Sequence, residues 1–380
     1  MMDQKFADLF AEDSRTNYLN HAAVGMMPRK TSNAMKALIN ELSLNGEPEI
    51  EEIFDKLNQF RLSLARLLTC VADEIAFIHN TTEGLSIALH SIDLKPGENI
   101  IVQADAFPAS LYIVHHSFPD VQKKYIPLNN GEDFYERLSE SVDKNSRAIV
   151  IDHVHFLSGF RIDLVKISEV AAKHGLYLIV DGIQAVGAIK VALDECDVDF
   201  YCAGGMKWLL GPMGTGFLYV NQKHFNTLKN FHVGWLSAEH DDLSTLYPVK
   251  PLKSTAPRYE RANFNLIGLY GLVESLNIIL ETEPVNIEKI IMEKTGRFIE
   301  RLKKVGCEVL TTPIDKDRSG IVTFRLEDLD STEIYDYLER RKIKCSLREG
   351  WVRIACHFFN SDEQLDQVVN AIEQIIKKHC

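Results

Sequence analysis

Hydrophobic runs alternate with helical patterns over residues 75–220. Six apolar runs follow one another there, namely IAFIH (75–79), NIIVQ (99–103), RAIVID (147–152), LYLIVD (176–181), DFYCA (199–203) and GFLYV (216–220). Between several of these runs, as at 82–92 and 163–174, apolar residues recur at helical spacing. Near-continuous apolar strands separated by helices are typical of a largely parallel sheet covered on both faces. The pattern therefore predicts an α/β domain.

The last third of the chain has a different pattern. We predict helices and strands in mixed order there, with helices at 264–281, 285–305 and 332–342 and strands at 320–326, 343–347 and 351–355. Ser361 and Gln364 have the spacing of a capping box, and an apolar stripe at helical spacing follows them. This arrangement indicates a second, smaller α+β domain.

The change of pattern divides the chain. A chain of 380 residues is longer than a usual single domain, and the change falls near 250–263. We therefore predict an N-terminal arm at 1–15, a large α/β domain with a mostly parallel sheet flanked by helices at 16–256, and a small α+β domain at 257–380.

Composition and charge narrow the classes of function. Lys and Arg total 42 and Asp and Glu total 54, which gives a net charge of −12. An acidic chain without a long basic run is a poor partner for nucleic acid. No secretory signal is visible, and no window approaches the 18 or so apolar residues that span a membrane. The seven scattered cysteines are never spaced CxxC, so we expect reduced thiols and a cytoplasmic location.

Candidate chemistry follows the apolar runs, because ligands of an open parallel sheet bind at the carboxyl ends of its strands. The turn Asn80-Thr-Thr-Glu-Gly lies at the predicted start of a helix. Its free amides and hydroxyls could bind an anion, or one of its hydroxyls could form an ordinary N-cap. Asp181 ends a buried run and either caps the next turn or holds a cationic ring nitrogen. Lys207 comes after Gly204, Gly205 and Met206. Desolvation in a pocket would lower its pKa, as a Schiff-base lysine requires.

Two other kinds of site are not supported by the spacing. The glycines at 211, 214 and 216 precede a strand and do not match the dinucleotide fingerprint, and no phosphate-binding GxxxxGK[ST] motif occurs. His153 and His155 lie two residues apart on one predicted strand face, but no third ligand accompanies them. We therefore predict no metal site.

Taken in order, the motifs resemble those of the class V aminotransferase family of pyridoxal-phosphate enzymes, fold type I, which includes cysteine desulfurases, kynureninase and isopenicillin N epimerase. The resemblance rests on five segments, YLNHAA (18–23), NTTEG (80–84), DGIQA (181–185), KWLLGPMG (207–214) and RIACHFFNSDE (353–363). These segments cover nearly the whole chain. The resemblance implies fold type I, pyridoxal 5'-phosphate as cofactor, a small amino acid as substrate and a homodimer.

The resemblance also implies roles for single residues. Lys207 would hold the cofactor and act as base at Cα, and Asp181 would keep the ring nitrogen protonated. The cofactor-binding residues would be Thr81, Thr82, Phe107, Asp181, Gln184, Lys207 and Asn263. The substrate-binding residues would be Arg353, His21 and His155.

The chain departs from the family pattern at three places. Many members have Ser-x-His-Lys at the lysine, where this chain has Gly204-Gly-Met206-Lys207, so two phosphate contacts are missing. Ala262-Asn263 stands where a Gly-Thr pair is common, and Phe156 stands where desulfurases commonly have Asn.

The resemblance leaves the reaction open. We expect a transaminase, with a β-lyase or an epimerase or racemase of the same family as alternatives. A non-catalytic regulatory protein that binds pyridoxal phosphate is an alternative of another class. A persulfide-forming desulfurase is not expected, because Cys345 lies in a predicted strand and Cys356 follows Arg353 directly, so neither has a mobile loop.

Overall fold

The computed structural model describes residues 4–10, 16–46, 48–129, 131, 133–240 and 247–379. Its strands are β1 (Asn17–Tyr18), β2 (Ile75–Ile78), β3 (Asn99–Gln103), β4 (Gln122–Ile126), β5 (Ser146–Asp152), β6 (Tyr177–Asp181), β7 (Phe200–Gly204), β8 (Gly216–Val220), β9 (Glu308–Val309), β10 (Ile321–Arg325), β11 (Ile343–Lys344), β12 (Ser346–Arg348) and β13 (Trp351–Ala355). Its α-helices are α1 (Arg29–Asn45), α2 (Ile50–Leu68), α3 (Thr81–Ser91), α4 (Pro108–Ser117), α5 (Phe134–Ser141), α6 (Leu164–His174), α7 (Leu266–Thr282), α8 (Pro284–Lys304), α9 (Ser331–Arg340) and α10 (Asp362–His379).

A large, mostly parallel sheet organises the first two thirds of the chain. In the described residues its strands lie in the order β2-β8-β7-β6-β5-β3-β4. The pairs from β7 to β4 are parallel, whereas β8 runs antiparallel to both of its neighbours. All six predicted apolar runs are strands of this sheet. β4 was not predicted, because its sequence QKKYI is half exposed at the edge and lacks a continuous apolar run.

Helices cover both faces of this sheet. Alternation along β3 directs Ile101 to one core and Ile100 and Val102 to the other. Helices α3 and α4 supply the core on one face, and α2, α6 and α7 supply the core on the other. The expected α/β architecture with a mostly parallel, helix-flanked sheet is therefore confirmed.

A second, antiparallel sheet follows with the order β12-β13-β10-β9. Helices α8, α9 and α10 contribute apolar side chains to its core. The capping box is present, because Ser361 N donates to Gln364 Oε1 at 3.0 Å and Gln364 N donates to Ser361 Oγ at 3.4 Å. The predicted smaller α+β unit therefore forms around the C-terminal strands.

Helix α7 connects the two parts of the fold. The predicted division at 256/257 assigns this helix to the small domain, yet Leu269, Leu272 and Leu276 pack in the core of the large sheet. The division itself stays a prediction. Of the predicted arm at 1–15, residues 11–15 and 1–3 lie outside the described ranges, while Phe6 and Phe10 pack on Phe358 and Phe359. No helix in the described ranges is both long and apolar enough to cross a membrane.

Candidate active site

A cavity of about 280 Å³ opens where β6 and β7 end and α3 begins. Residues from six separate parts of the sequence line it, including Thr81, Asp181, Lys207 and Arg353. They meet because β6 and β7 are parallel neighbours, so their carboxyl ends lie at one edge of the sheet. The small sheet supplies Arg353 from β13.

Lys207 lies just after β7 and is only 6% exposed. Its Nζ lies 5.4 Å from the centroid of the Phe107 ring, and among the described residues it has no hydrogen-bond partner. Burial lowers the pKa of Lys207 to about 8, although the nearby Asp181 carboxylate acts in the opposite direction. The N-terminal segment packs closely here, since Gly25 N donates to Met206 O at 2.7 Å and a Cβ on Gly25 would lie 2.1 Å from Lys207 O. With its pKa lowered to about 8, a larger fraction of this amine is neutral than of an exposed lysine, and the neutral form reacts with an aldehyde.

Asp181 ends β6 and is 3% exposed. Its Oδ1 accepts a hydrogen bond from Ile183 N at 2.9 Å. Burial raises its pKa to about 6, while the Ile183 amide and the Lys207 charge lower it. A buried carboxylate on the cavity wall is stabilised by any cation that enters.

Gln184 and Phe107 border the same space. Gln184 Nε2 donates to Ala22 O at 3.0 Å, and its Oε1 accepts from Trp208 Nε1 at 2.9 Å. These bonds fix the amide orientation and leave one of its two N–H groups for a ligand. Phe107 precedes α4 and keeps its ring partly exposed to the cavity.

The start of α3 forms another part of the cavity wall. Asn80 caps this helix, because its Oδ1 accepts from Glu83 N at 2.9 Å. Thr81 Oγ1 accepts from Gly204 N at 2.9 Å, which ties α3 to the end of β7. Thr81 and Thr82 line the cavity beside the first amides of the helix, an arrangement that favours an anion.

Two arginines approach from the small sheet. In the β12–β13 hairpin Ser346 faces Arg353 and Arg348 faces Trp351, so Arg348 and Arg353 share one face. Arg353 is 2% exposed and donates from Nη1 to Phe156 O at 2.6 Å, whereas its Nε is buried without a partner. Burial, and then the charge of Arg348, lower the pKa of Arg353 to about 10. Neither arginine has a carboxylate partner in the described part of the chain, so this corner attracts anions.

Three predicted site residues lie outside this cavity lining. His21 is fully buried against the rings of His357 and Phe359, and burial lowers its pKa well below the usual range. His155 bonds Ser158 Oγ at 2.8 Å and Asp105 O at 2.9 Å. Asn263 lines a neighbouring cavity of about 230 Å³. Their contacts with substrate or cofactor stay predictions.

Three residues near the lysine were not predicted from the sequence. Arg348 and His79 line the cavity, and Asp152 is the strand neighbour of Asp181. Strand alternation could have identified Arg348, because it lies across a two-residue turn from β13. Asp152 and His79 carried no signal apart from their positions at strand ends.

A larger cavity of about 840 Å³ lies elsewhere and is lined by Arg161, Lys190, Glu195 and Glu288 among others. Two ion pairs lie in its wall, Arg161 with Glu288 and Lys190 with Glu195. No group of three or more metal-ligating side chains occurs within the described residues.

The profile of the Aminotransferase class-V family matches residues 17–367. The chain belongs to this family. An uncharacterized aminotransferase of Bacillus subtilis (strain 168), YcbU, is 23% identical to this chain. The match covers 98% of this chain and 97% of YcbU. A probable cysteine desulfurase of Pyrococcus abyssi (strain GE5 / Orsay) is 24% identical over 95% and 94% of the two chains.

Solved structures share the class-V fold over the full length. A mutant of C-DES with glycine covalently linked to its PLP cofactor superposes with a TM-score of 0.90, at 21% identity over 97% of this chain and 98% of that one. The cysteine desulfurase CsdA of Escherichia coli superposes with a TM-score of 0.84, at 19% identity over 99% and 98%. The family resemblance and the fold are thereby confirmed.

Pyridoxal phosphate is the cofactor of this class-V enzyme. The residues present fit it. Lys207 would supply an amine without a partner, Asp181 a buried carboxylate toward the ring nitrogen, and Gln184 an N–H group at the cavity wall. The first turn of α3 would supply donors for the phosphate. The expected cofactor and enzyme class are thereby confirmed.

Proposed function

We propose that this class-V enzyme eliminates a sulfur substituent from Cβ of a small amino acid. The observation that carries the proposal is Lys207, a buried amine with a pKa of about 8 between a carboxylate and two arginines without carboxylate partners. The lowered pKa increases the fraction of Lys207 that is neutral and can act as a base, and the arginines suit the carboxylate of an amino acid. Lys207 and Asp181 are the catalytic residues in this proposal.

The protein positions the substrate and moves one proton. Arg353 binds the substrate carboxylate through its planar guanidinium, and Lys207 takes the proton from Cα. Bound pyridoxal phosphate supplies a ring that accepts the electron pair left at Cα. Asp181 stays ionised and keeps the ring nitrogen protonated, while Phe107 and Gln184 orient the ring. Phe107, whose ring centroid lies 5.4 Å from Lys207 Nζ, has no acidic group and therefore cannot protonate the departing sulfur.

The proposed elimination has a balanced equation. With a disulfide-linked amino acid such as cystine, the Cα–H and Cβ–S bonds break, and the sulfur leaves with the electron pair of the C–S bond. One cystine and one water then give pyruvate, ammonia and cysteine persulfide. A persulfide is a stable anion, so it can leave without being protonated by a neighbouring side chain.

No suitable thiol accepts sulfur from the substrate in the described residues. Burial raises the pKa of Cys345 to about 12 and that of Cys356 to about 11, and neither lines the cavity. A thiolate is the nucleophile that takes sulfur, so these buried thiols are poor acceptors. This supports direct release of the sulfur product.

The names of related proteins support a lyase over the other reactions. A structural neighbour is described as the cystine C-S lyase C-DES, at a TM-score of 0.87 and 22% identity, and several relatives are named cysteine desulfurase. Transamination is the second candidate, because the Bacillus relative is named an aminotransferase. Racemisation is less favoured, since Lys207 is the one amine on the described cavity wall and racemases commonly use two bases. Turnover of any amino acid would exclude a purely regulatory protein.

An exposed apolar surface supports a homodimer as part of this proposal. Around Trp235 the chain exposes Phe231 and Val233, and after residue 246 it exposes Tyr247 and Val249, the last two at 82% and 92%. Clustered exposed apolar side chains mark interaction surfaces. A symmetric dimer would bury them, and sedimentation analysis of the holoenzyme tests it.

Product analysis of the holoenzyme tests the reaction. With cystine, we expect pyruvate, ammonia and persulfide in equal amounts. Lys207→Ala abolishes their formation, whereas Lys229→Ala, at an exposed lysine paired with Asp93, leaves it unchanged. An oxo acid that retains the sulfur, together with the pyridoxamine form of the cofactor, would instead identify a transaminase. A protein without turnover on a panel of amino acids would refute the enzyme proposal.

A further inference from the structure

The phosphate end of the cavity lacks two side chains. Gly204 and Met206 stand where many relatives carry Ser and His, and neither offers a side-chain donor. Thr215 Oγ1 lies in the lining but donates to Pro212 O at 2.7 Å. The dianionic phosphate therefore needs a donor or a charge from another position.

We propose that His79, held by Glu83, donates a hydrogen bond to the cofactor phosphate in place of the missing side chains. The proposal rests on the proposed function, because it needs pyridoxal phosphate in the cavity. His79 lies directly after β2 and lines the cavity together with Thr81, Thr82 and Lys207.

Glu83 fixes the orientation of the His79 ring. Glu83 Oε2 lies 2.9 Å from His79 Nδ1 and also accepts from His79 N at 2.7 Å. A carboxylate only accepts, so Nδ1 carries a proton, and the opposite nitrogen, Nε2, remains for a ligand. Nε2 has no hydrogen-bond partner in the described part of the chain. This leaves it available at the cavity wall.

Glu83 and a bound phosphate would be anions on opposite sides of the His79 ring. Arg261 Nη2 donates to Glu83 Oε1 at 2.7 Å, which holds the carboxylate in place. Burial raises the pKa of Glu83, but the hydrogen bonds from His79 and Arg261 outweigh it, so the net shift is downward. Glu83 is therefore a fixed anion on one side of the imidazole, and the phosphate would be a second anion on the other. A ring that donates from Nδ1 to Glu83 and from Nε2 to the phosphate is an imidazolium, and these two anions would flank it.

The other cations near the cavity belong to other parts of the fold. Arg261 is bonded to Glu83. Arg348 and Arg353 share a face of the small sheet, with Arg353 bonded to Phe156 O. Among the described lining residues, His79 is the ring-nitrogen donor next to the first turn of α3.

Titration of the apoenzyme with pyridoxal phosphate and with pyridoxal distinguishes the loss of a phosphate contact from a general loss of cofactor binding. Pyridoxal phosphate and pyridoxal differ only in the phosphate group. We expect His79→Ala to weaken binding of pyridoxal phosphate by about tenfold or more, the size of a lost charge-assisted hydrogen bond. Pyridoxal should bind as it does to the unchanged protein. Glu83→Gln should also weaken binding of pyridoxal phosphate but not of pyridoxal. The control is His90→Ala, in α3 with Nδ1 bonded to Ser86 O, which should change the binding of neither ligand.

The phosphorus signal of bound cofactor gives a second readout. His79→Gln, which keeps a neutral donor, should shift the ³¹P resonance while preserving the fold, as checked by Tm. An equal loss of both ligands, or no loss in His79→Ala, would overturn the assignment while leaving the enzyme proposal intact. Failure of the unchanged protein to bind pyridoxal phosphate would overturn both.

Discussion

Asp152 and Asp181 are paired residues on neighbouring parallel strands, at the edge of the sheet where Lys207 also lies. Asp152 Oδ2 accepts from Phe107 N at 2.9 Å, and its Oδ1 is buried without a partner. Burial, and then the charge of Asp181, raise the pKa of Asp152 well above the usual range. Asp181 lines the cavity in which a protonated ring would be stabilised, and Asp152 is buried beside it.

The burial of Asp181 makes the stability of the apoenzyme depend on pH. The pKa of Asp181 is raised from 3.8 to about 6 on folding, so the folded state binds its proton more tightly than the unfolded state. Its contribution, about 3 kcal/mol, is complete below pH 4 and is lost as pH rises through 6. We expect the unfolding free energy of wild type, relative to Asp181→Asn, to fall across this window in urea titrations. A constant difference between the two proteins would contradict the raised pKa.

Asp181→Asn should also impair catalysis. The amide cannot stabilise a protonated ring nitrogen, so the rate of Cα deprotonation should fall by about a hundredfold or more, since removal of one buried charged partner costs about 3–5 kcal/mol. Exchange of the Cα proton of the substrate with deuterium, followed by NMR, measures this rate. Cofactor binding should fall much less, because Lys207 and the start of α3 remain.

The rate of cofactor capture should follow the titration of Lys207. Only the neutral amine attacks an aldehyde, so the rate should rise with pH and level off above about 8, the pKa set by burial. Stopped-flow absorbance of apoenzyme mixed with pyridoxal phosphate gives the profile. Asp181→Asn removes a nearby negative charge and should move the midpoint lower. A midpoint near 10.5, the value of an exposed lysine, would show that Lys207 is not desolvated.

Arg353 should determine substrate affinity more than cofactor affinity. Arg353→Ala should raise KM by about tenfold to a hundredfold, the range expected for a charge-assisted bidentate contact. Arg353→Lys keeps the charge but loses the planar guanidinium, so its KM should stay close to that of Arg353→Ala. Arg325→Ala is the matched control, because Arg325 lies on adjacent β10 and is paired with Glu308. Equal effects of the two alanine variants on KM would argue against a carboxylate contact at Arg353.

Cys345→Ser and Cys356→Ser should retain activity. Both thiols are buried with raised pKa values, so neither takes part in sulfur release. We expect pyruvate formation from cystine within about twofold of wild type, with a stability loss of about 1 kcal/mol from burying a hydroxyl. Loss of sulfide or persulfide release in one variant, with cofactor still bound, would instead identify a persulfide-forming desulfurase.

The local pattern of the sequence was sufficient for most elements of the fold. The six apolar runs became strands because buried parallel strands need apolar side chains on both faces. The capping box at Ser361 formed because its two partners are three residues apart. β4 was missed, since an edge strand with two lysines is stabilised by its neighbour β3 more than by its own composition.

The sequence by itself determined the family, the cofactor and the residues at strand ends, because motif order and strand termini are local features. The order of the strands, and hence which ends adjoin, was decided by tertiary structure. Packing brought Arg348 to the cavity beside Arg353 and kept His21 and His155 outside its lining. It also aligned Asp152 with Asp181. Those outcomes depend on strand register and desolvation, which arise only when distant segments pack together.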